Sequence, residues 1–137
     1  MIKKISFDCF HEFLENNIIE YNMSKKPILK ENSGEKICYA YEKNFEYLAG
    51  ISLEYYLGFM HINFLWVDEK LRGKRIGESL ILVAENLAKE VGCSVIFLET
   101  FSFQAPDFYK KNGFEEFGRI ENNSNNNDTL YFMKKTI

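Results

Sequence analysis

Apolar residues recur every three or four positions from Ile76 to Val91, and this spacing predicts an amphipathic helix. The periodic positions are Ile76, Leu80, Val83, Ala84, Leu87, Ala88 and Val91. Gly92 follows directly and is a residue that commonly ends helices. Residues 95–98 then form a short, continuously apolar run, which is typical of a central strand covered on both faces.

Runs rich in β-branched and aromatic residues predict a meander of antiparallel strands before this helix. The strand-like runs are residues 36–42, 47–56 and 60–67, with hairpin turns at residues 43–44 and 57–58. A strand, a helix and a strand in that order favour a parallel pair formed by residues 60–67 and 95–98. Closer to the start, residues 2–7 are predicted to form a strand, and Asp8 is predicted to cap a helix over residues 9–21.

The other segments read as loops, one short helix and a final hairpin. Pro27 and residues 31–34 carry loop signals. Pro106 is well placed in the first turn of a short helix that ends near Asn112 and Gly113. Residues 114–120 and 129–134 are predicted to form the hairpin, joined by an Asn-rich connection at residues 122–128.

Composition narrows the classes of protein that fit. The 137 residues suit one domain spanning 1–137, and a net charge of −3 argues against broad nucleic-acid binding. No apolar run approaches the ~20 residues that a membrane span needs, and no apolar stretch follows the charged start as in a signal peptide. The three cysteines are odd in number and far apart, which favours reduced thiols and a cytoplasmic protein. No metal site is predicted, because no Cys-x-x-Cys or His-x-x-x-His spacing occurs.

A basic, glycine-containing turn at residues 72–77 joins a predicted strand to the amphipathic helix. The first N–H groups of a helix lack intrahelical partners, and the helix dipole favours negative charge there. Gly73 and Gly77 let a ligand approach the backbone, and positive charge comes from Arg72, Lys74 and Arg75. The turn therefore predicts a phosphate or pyrophosphate site, with a solvated connection as the alternative. It is neither a P-loop nor a dinucleotide fingerprint.

Two separated motifs carry a resemblance to a known family. One is a turn of the form Arg/Gln-x-x-Gly-x-Gly/Ala, whose ends match Arg72 and Gly77, with Arg75 in place of the middle glycine. The other is a tyrosine followed by a short spacer and Gly-Phe, matched by Tyr109 and residues 113–114. In this order they resemble the GNAT superfamily of N-acetyltransferases, most strongly over residues 62–117. The resemblance implies an α/β (α+β) fold: a mixed, mostly antiparallel sheet of six to seven strands, flanked by helices and splayed near the strand ending at Val67.

The resemblance implies acetyl-CoA as the cofactor. Its pyrophosphate would lie on the N–H groups of the turn, and its pantetheine arm would run beside the strand ending at Val67 as a small case of strand addition. The implied cofactor-binding residues are Leu65, Trp66, Val67, Arg72, Gly73, Lys74, Arg75, Ile76 and Gly77. The Arg75 side chain either points outward or contacts a phosphate directly. Gln104 is the nearest candidate for an asparagine that often contacts the cofactor in the family.

The implied reaction is attack of a neutral amine on the acetyl thioester, which needs a base and benefits from an acid. Tyr109 is the candidate acid for the leaving thiolate, and a tyrosine that anchors a short helix is the alternative. Glu99, at the end of the apolar strand, is the candidate base, with His61, Glu54 or a water relay as alternatives. Strand alternation predicts that His61 and Asn63 share a face with Leu65 and Val67.

The leading hypothesis is an N-acetyltransferase that acts on a primary amine of a small molecule or a protein. A non-catalytic module that binds acyl-CoA on the same fold is the second reading, and an α/β interaction domain without a cofactor is the third. The residues do not reveal the oligomeric state, and the resemblance favours a homodimer only because dimers are common in the family.

Overall fold

The computed structural model describes residues 1–30, 34–122 and 127–137. These residues divide into two compact units, 1–33 and 34–137. The prediction of one domain over 1–137 stays a prediction. Loop predictions at residues 31–33 and 123–126 lie outside the described residues.

The first unit is helical. Helix α1 (Phe7–Lys25) is followed by a 3-10 turn, Pro27–Lys30. The strand predicted at residues 2–7 is wrong, because residues 1–6 have no regular structure and Phe7 already begins the helix. Phe7, Phe10, Leu14 and Ile18 follow the three-to-four spacing of a helix, and this period overrides the short alternation before them. Asp8 lies in the first turn, where its charge suits the helix dipole, and Ser6 occupies the capping position.

The described part of the second unit is a six-stranded sheet with two α-helices and one 3-10 turn, Glu69–Leu71. The strands are β1 (Glu35–Lys43), β2 (Glu46–Tyr56), β3 (Phe59–Val67), β4 (Val95–Phe101), β5 (Glu115–Glu121) and β6 (Thr129–Thr136). The helices are α2 (Ile76–Val91) and α3 (Pro106–Lys111). The strand order is β1-β2-β3-β4-β6-β5, and only β3 and β4 run parallel. The predicted meander, parallel pair and final hairpin are therefore confirmed, with six strands.

Helix α2 packs its apolar stripe on one face of the sheet. The buried core on this face includes Ile51, Leu53, Met60, Ile62, Leu80, Ile81, Ala84, Ala88, Ile96, Leu98 and Met133. Gly92 ends the helix in the left-handed conformation, at φ 77°, and its N–H donates to the carbonyl oxygens of Ala88 and Lys89. The bounds of α2 thus agree with the apolar period and its glycine stop.

Two irregularities open the sheet beside β3. Ile62 pairs with Leu53 and Phe64 pairs with Ser52, so Asn63 is a bulged residue without a register partner. On its other side, β3 pairs with β4 only from Phe59 to His61, in three residue pairs. Beyond His61, no described strand pairs with β3 on that side. The predicted splay near Val67 is confirmed.

Candidate functional site

The splay opens into a groove of about 1060 Å³ between the end of β3, the basic turn and α3. Eight of the nine predicted cofactor-binding residues line it: Leu65, Trp66, Val67, Arg72, Gly73, Arg75, Ile76 and Gly77. Lys74 is not among the lining residues. The groove is also lined by residues that sequence analysis did not select, namely Leu71, Glu78, Phe103, Ala105, Phe108, Lys111 and Asn112. Of these, Phe108 and Lys111 flank Tyr109 closely enough that the second motif could have indicated them.

The N-terminus of α2 presents unused backbone donors to this groove. The first helical bond runs from the N–H of Ser79 to the carbonyl oxygen of Arg75. The backbone N–H groups of residues 75–78, and that of Gly73, have no backbone acceptor among the described residues. Together with the helix dipole, these donors form a site for an anionic group. Arg72 and Lys111 add positive side chains beside them.

Arg75 adopts the left-handed conformation, at φ 62°, and lies at the N-terminal cap of α2. This conformation costs a residue with a Cβ roughly 1–2 kcal/mol, and glycine avoids that cost. The side chain is 84% exposed and forms an ion pair with Glu78 at 3.3 Å, and Arg75 also lines the groove. Whether it points away from the cofactor or contacts a phosphate stays a prediction. Its carbonyl oxygen accepts from both the N–H and the hydroxyl of Ser79.

The unpaired edge of β3 forms the other wall. Leu65 and Val67 pair in register with Ile51 and Ala49 of β2, and their side chains pack against the core. Their backbone at the splay is open to a ligand with amide groups, which can bind as an added strand does. Arg72 reaches back toward this edge, with its Nε 3.5 Å from the carbonyl oxygen of Val67.

A chain of three polar side chains crosses the point where β3 and β4 part. His61 Nδ1 lies 2.7 Å from Asn63 Oδ1, and His61 Nε2 lies 2.5 Å from Glu99 Oε2. The ring of Phe97 stacks on His61 with centroids 4.7 Å apart. Glu54 is the register partner of His61 on β2. Sequence analysis offered His61 and Glu99 as alternative bases, and the structure joins them in one hydrogen-bonded group.

The bulge at Asn63 corrects one prediction about faces. Simple alternation placed His61 on the face of Leu65 and Val67. Leu65 and Val67 instead share the core face with Met60 and Ile62, because the extra residue shifts the alternation by one position. His61 therefore lies on the opposite face of the sheet, together with Glu99.

Comparison with known proteins decides the family. Residues 4–114 match the Acetyltransferase (GNAT) family. The chain belongs to this family.

Individual relatives agree with the GNAT assignment. A crystal structure of an acetyltransferase from Bacillus cereus ATCC 14579 is 33% identical, with a TM-score of 0.85 over 100% of this chain and 97% of that chain. A Bacillus anthracis str. Ames protein assigned as a streptothricin acetyltransferase, in complex with acetyl-CoA, is 26% identical, with a TM-score of 0.68 over 77% of this chain and 65% of that chain. GNAT acetyltransferases use acetyl-CoA.

A curated relative matches over a shorter length. Blasticidin-S acetyltransferase from Streptomyces morookaense is 45% identical over 56 residues, which is 40% of this chain and 41% of that protein. The match thus spans about two fifths of that relative's length.

No described helix has the length and apolar character needed to cross a membrane.

The second GNAT motif lies on α3. Tyr109 is 8% exposed, and its ring meets those of Phe108 and Phe114 edge-on, with centroids 5.2 and 5.7 Å away. Burial raises the pKa of its phenol, so the group keeps its proton at neutral pH. Phe108, rather than Tyr109, lines the groove. The end of α3 is held by Lys135, whose ammonium donates to the carbonyl oxygen of Asn112 at 2.8 Å and forms an ion pair with Glu85 of α2.

Gln104 lies at the groove, but its side-chain oxygen already has a local partner. It accepts from the N–H of Phe101 at 2.8 Å, which closes the turn after β4. Only the amide nitrogen of Gln104 is therefore left to face a ligand. Its candidacy as a cofactor contact stays a prediction.

Proposed function

We propose that this chain transfers the acetyl group of acetyl-CoA to a primary amine of a small molecule or a protein. The observation that carries the proposal is one continuous groove that joins the unused N–H groups of α2 to the free edge of β3. One end suits a pyrophosphate and the other suits a chain of amides. Acetyl-CoA has both features and supplies an activated acetyl thioester when bound.

The residues present fit this cofactor. Gly73 has φ 79°, and a Cβ added there would meet no atom within 4 Å, so the backbone at the turn is open toward a ligand. The N–H groups of residues 75–78 would hold the pyrophosphate, with Arg72 and Lys111 as positive side chains beside it. Leu65, Trp66 and Val67 would offer their backbone to the pantetheine amides.

The Glu99–His61 pair would take the proton from the incoming amine. Alkyl amines are mostly protonated at neutral pH, so this proton must leave before nitrogen attacks the acetyl carbon. Glu99 is partly exposed, at 37% of its side chain, while His61 behind it is 25% exposed. Glu99 can thus meet the amine or a bridging water, and His61 can hold the proton that the pair gains. The C–N bond forms as the C–S bond breaks.

Tyr109 would give its proton to the departing thiolate. Its hydroxyl has no hydrogen-bond partner among the described residues. A phenol that keeps its proton at neutral pH is a suitable donor for this step. Bulk solvent can restore the proton afterwards.

The first experiment separates a cofactor-binding protein from an interaction domain. Thermal unfolding is followed with acetyl-CoA, with free CoA and with acetate alone. Acetyl-CoA at a hundred times its Kd should add about 2.7 kcal/mol to the free energy of unfolding, while acetate should add nothing. An unchanged melting temperature at millimolar acetyl-CoA would exclude the proposal.

A second experiment tests catalysis. Release of free CoA thiol is measured with a panel of small amines and amine-bearing peptides, against reactions without an acceptor. Acceptor-dependent thiol release supports the enzyme. The second candidate, an acyl-CoA-binding module, is favoured by the core packing of Tyr109 outside the groove lining. Binding without thiol release by any member of the panel would favour that module.

A further inference from the structure

We propose that Asn63 is a positioning residue that holds the His61 ring in both of its protonation states and so sets how readily the His61–Glu99 pair takes up a proton. The inference rests on the proposed function only for its catalytic consequence. Its basis is the distance of 2.7 Å between Asn63 Oδ1 and Nδ1 of the His61 ring.

The number of protons on the His61 ring depends on whether Asn63 accepts a hydrogen bond from Nδ1 or donates one to it. With Asn63 Oδ1 facing Nδ1, the ring nitrogen must donate, because an amide oxygen can only accept. The Glu99 carboxylate at Nε2 also accepts. In this orientation of the amide both ring nitrogens would carry protons, as they do in the imidazolium cation.

A half-turn of the Asn63 amide would let it partner the neutral ring as well. The amide nitrogen then donates to an unprotonated Nδ1, while Nε2–H still donates to Glu99. A single carboxamide can therefore partner His61 before and after it gains a proton, without any movement of the ring. Aspartate at this position could only accept, and an apolar side chain could do neither.

The bulge is what brings Asn63 to this position. A residue without a register partner is freed from the regular strand geometry, and bulges commonly re-aim a side chain near a functional site. The other charged groups that face His61 from the neighbouring strands are both carboxylates, Glu54 on β2 and Glu99 on β4. Neither can donate while ionised, so Asn63 is the partner that can donate to a neutral ring.

The test reads the protonation of His61 directly. NMR titration of the histidine ring signals gives its pKa in the folded wild type, Asn63→Asp and Asn63→Leu. His11, the other histidine of the chain, lies in the other compact unit and serves as the internal control. We expect Asn63→Asp to raise the pKa of His61, because a carboxylate favours the charged ring, and Asn63→Leu to lower it, because an apolar neighbour disfavours that charge. The ring signals of His11 should be unchanged. If Asn63→Leu does not fold, Asn63→Ala takes its place.

A purely structural role for Asn63 predicts a different pattern. Both variants would lose stability while the pKa of His61 stayed fixed or moved in the same direction, and either result overturns the proposal. The pH midpoint of the lower limb of the kcat/KM profile should shift with the NMR pKa of His61, upward in Asn63→Asp and downward in Asn63→Leu. If the two variants shift the NMR pKa of His61 in opposite directions but leave the lower limb of the kcat/KM profile unchanged, Asn63 does control the protonation of His61. The same result would show that the His61–Glu99 pair is not the base of the proposed reaction.

Discussion

The ring of Phe108 occupies the space next to the Cα of Gly77. A Cβ added at Gly77 would lie 3.0 Å from Cζ and 3.1 Å from Cε2 of that ring, and 3.7 Å from Cγ2 of Val67. Glycine at this position therefore lets α3 approach the start of α2. The same contact fixes one wall of the groove, so a side chain at residue 77 acts on the site through Phe108.

Gly77→Val should weaken acetyl-CoA binding by at least about tenfold. Overpacking of this kind costs typically ~1–3 kcal/mol, and here it would push Phe108 into the groove. Isothermal titration with acetyl-CoA measures the loss. Gly77→Val combined with Phe108→Leu is the matched rescue, and a double variant that binds no better than Gly77→Val would show that Phe108 is not the cause.

Arg75→Gly should leave acetyl-CoA affinity within about threefold and raise the free energy of unfolding by up to ~1 kcal/mol. The gain comes from the left-handed backbone at residue 75, which glycine adopts without a Cβ penalty. Arg75→Ala is the control, because it removes the same guanidinium but keeps the Cβ. Chemical denaturation and titration of both variants separate the backbone from the charge. An equal, large loss of binding in both folded variants would make Arg75 a phosphate ligand.

Tyr109→Phe should lower kcat by at least about tenfold and leave the Kd for acetyl-CoA nearly unchanged. The variant keeps the ring that packs against Phe108 and Phe114, and it removes only the hydroxyl that would protonate the thiolate. Steady-state rates with an acceptor from the panel give kcat, and a direct binding titration gives the Kd for acetyl-CoA. Equal kcat in both proteins would leave Tyr109 as an anchor for α3.

Tyr55 should make stability fall at high pH. The hydrogen bond that its hydroxyl donates to Glu35, at 2.5 Å, raises its pKa from 10.0 to about 12, and burial and the Glu35 charge act in the same direction. A raised folded-state pKa contributes stability that is present below about pH 10 and lost as the pH rises toward 12. The melting-temperature difference between wild type and Tyr55→Phe should therefore shrink from pH 9 to pH 12. Tyr47→Phe, on the same strand, is the control, and a Tyr55→Phe difference that stays constant would refute the linkage.

Sequence alone located most of the elements that frame the site. Helix α2 was predictable to the residue because its apolar period and its glycine stop agree. The position of the turn was predictable because its glycines and basic residues lie between a strand-like run and the amphipathic helix, although the same pattern also fits a solvated connection. Phe108 was not selected as a site residue although it lies next to Tyr109 in the sequence. Its contact with Gly77 depends on how α2 and α3, which are separate in the sequence, pack together.

The hydrogen-bonded group of His61, Asn63 and Glu99 shows why the prediction about the faces of β3 was wrong. Alternation assumes an unbroken ladder, and no residue pattern marks Asn63 as the extra residue in β3. His61 and Glu99 are 38 residues apart in the sequence, so their contact depends on the parallel pairing of β3 and β4. The expected homodimer and cytoplasmic location stay predictions.

The three residue pairs that join β3 to β4 make the sheet two three-stranded ribbons that meet at a short seam. Each ribbon has its own antiparallel ladder, and α2 contacts β2, β3 and β4 and so bridges both. A molecule that lies in the gap with its amides against β3 would act mechanically as a missing strand. Backbone hydrogen bonds from such a molecule would add pairing at the junction of the two ribbons, so we expect ligand binding to strengthen the connection between them.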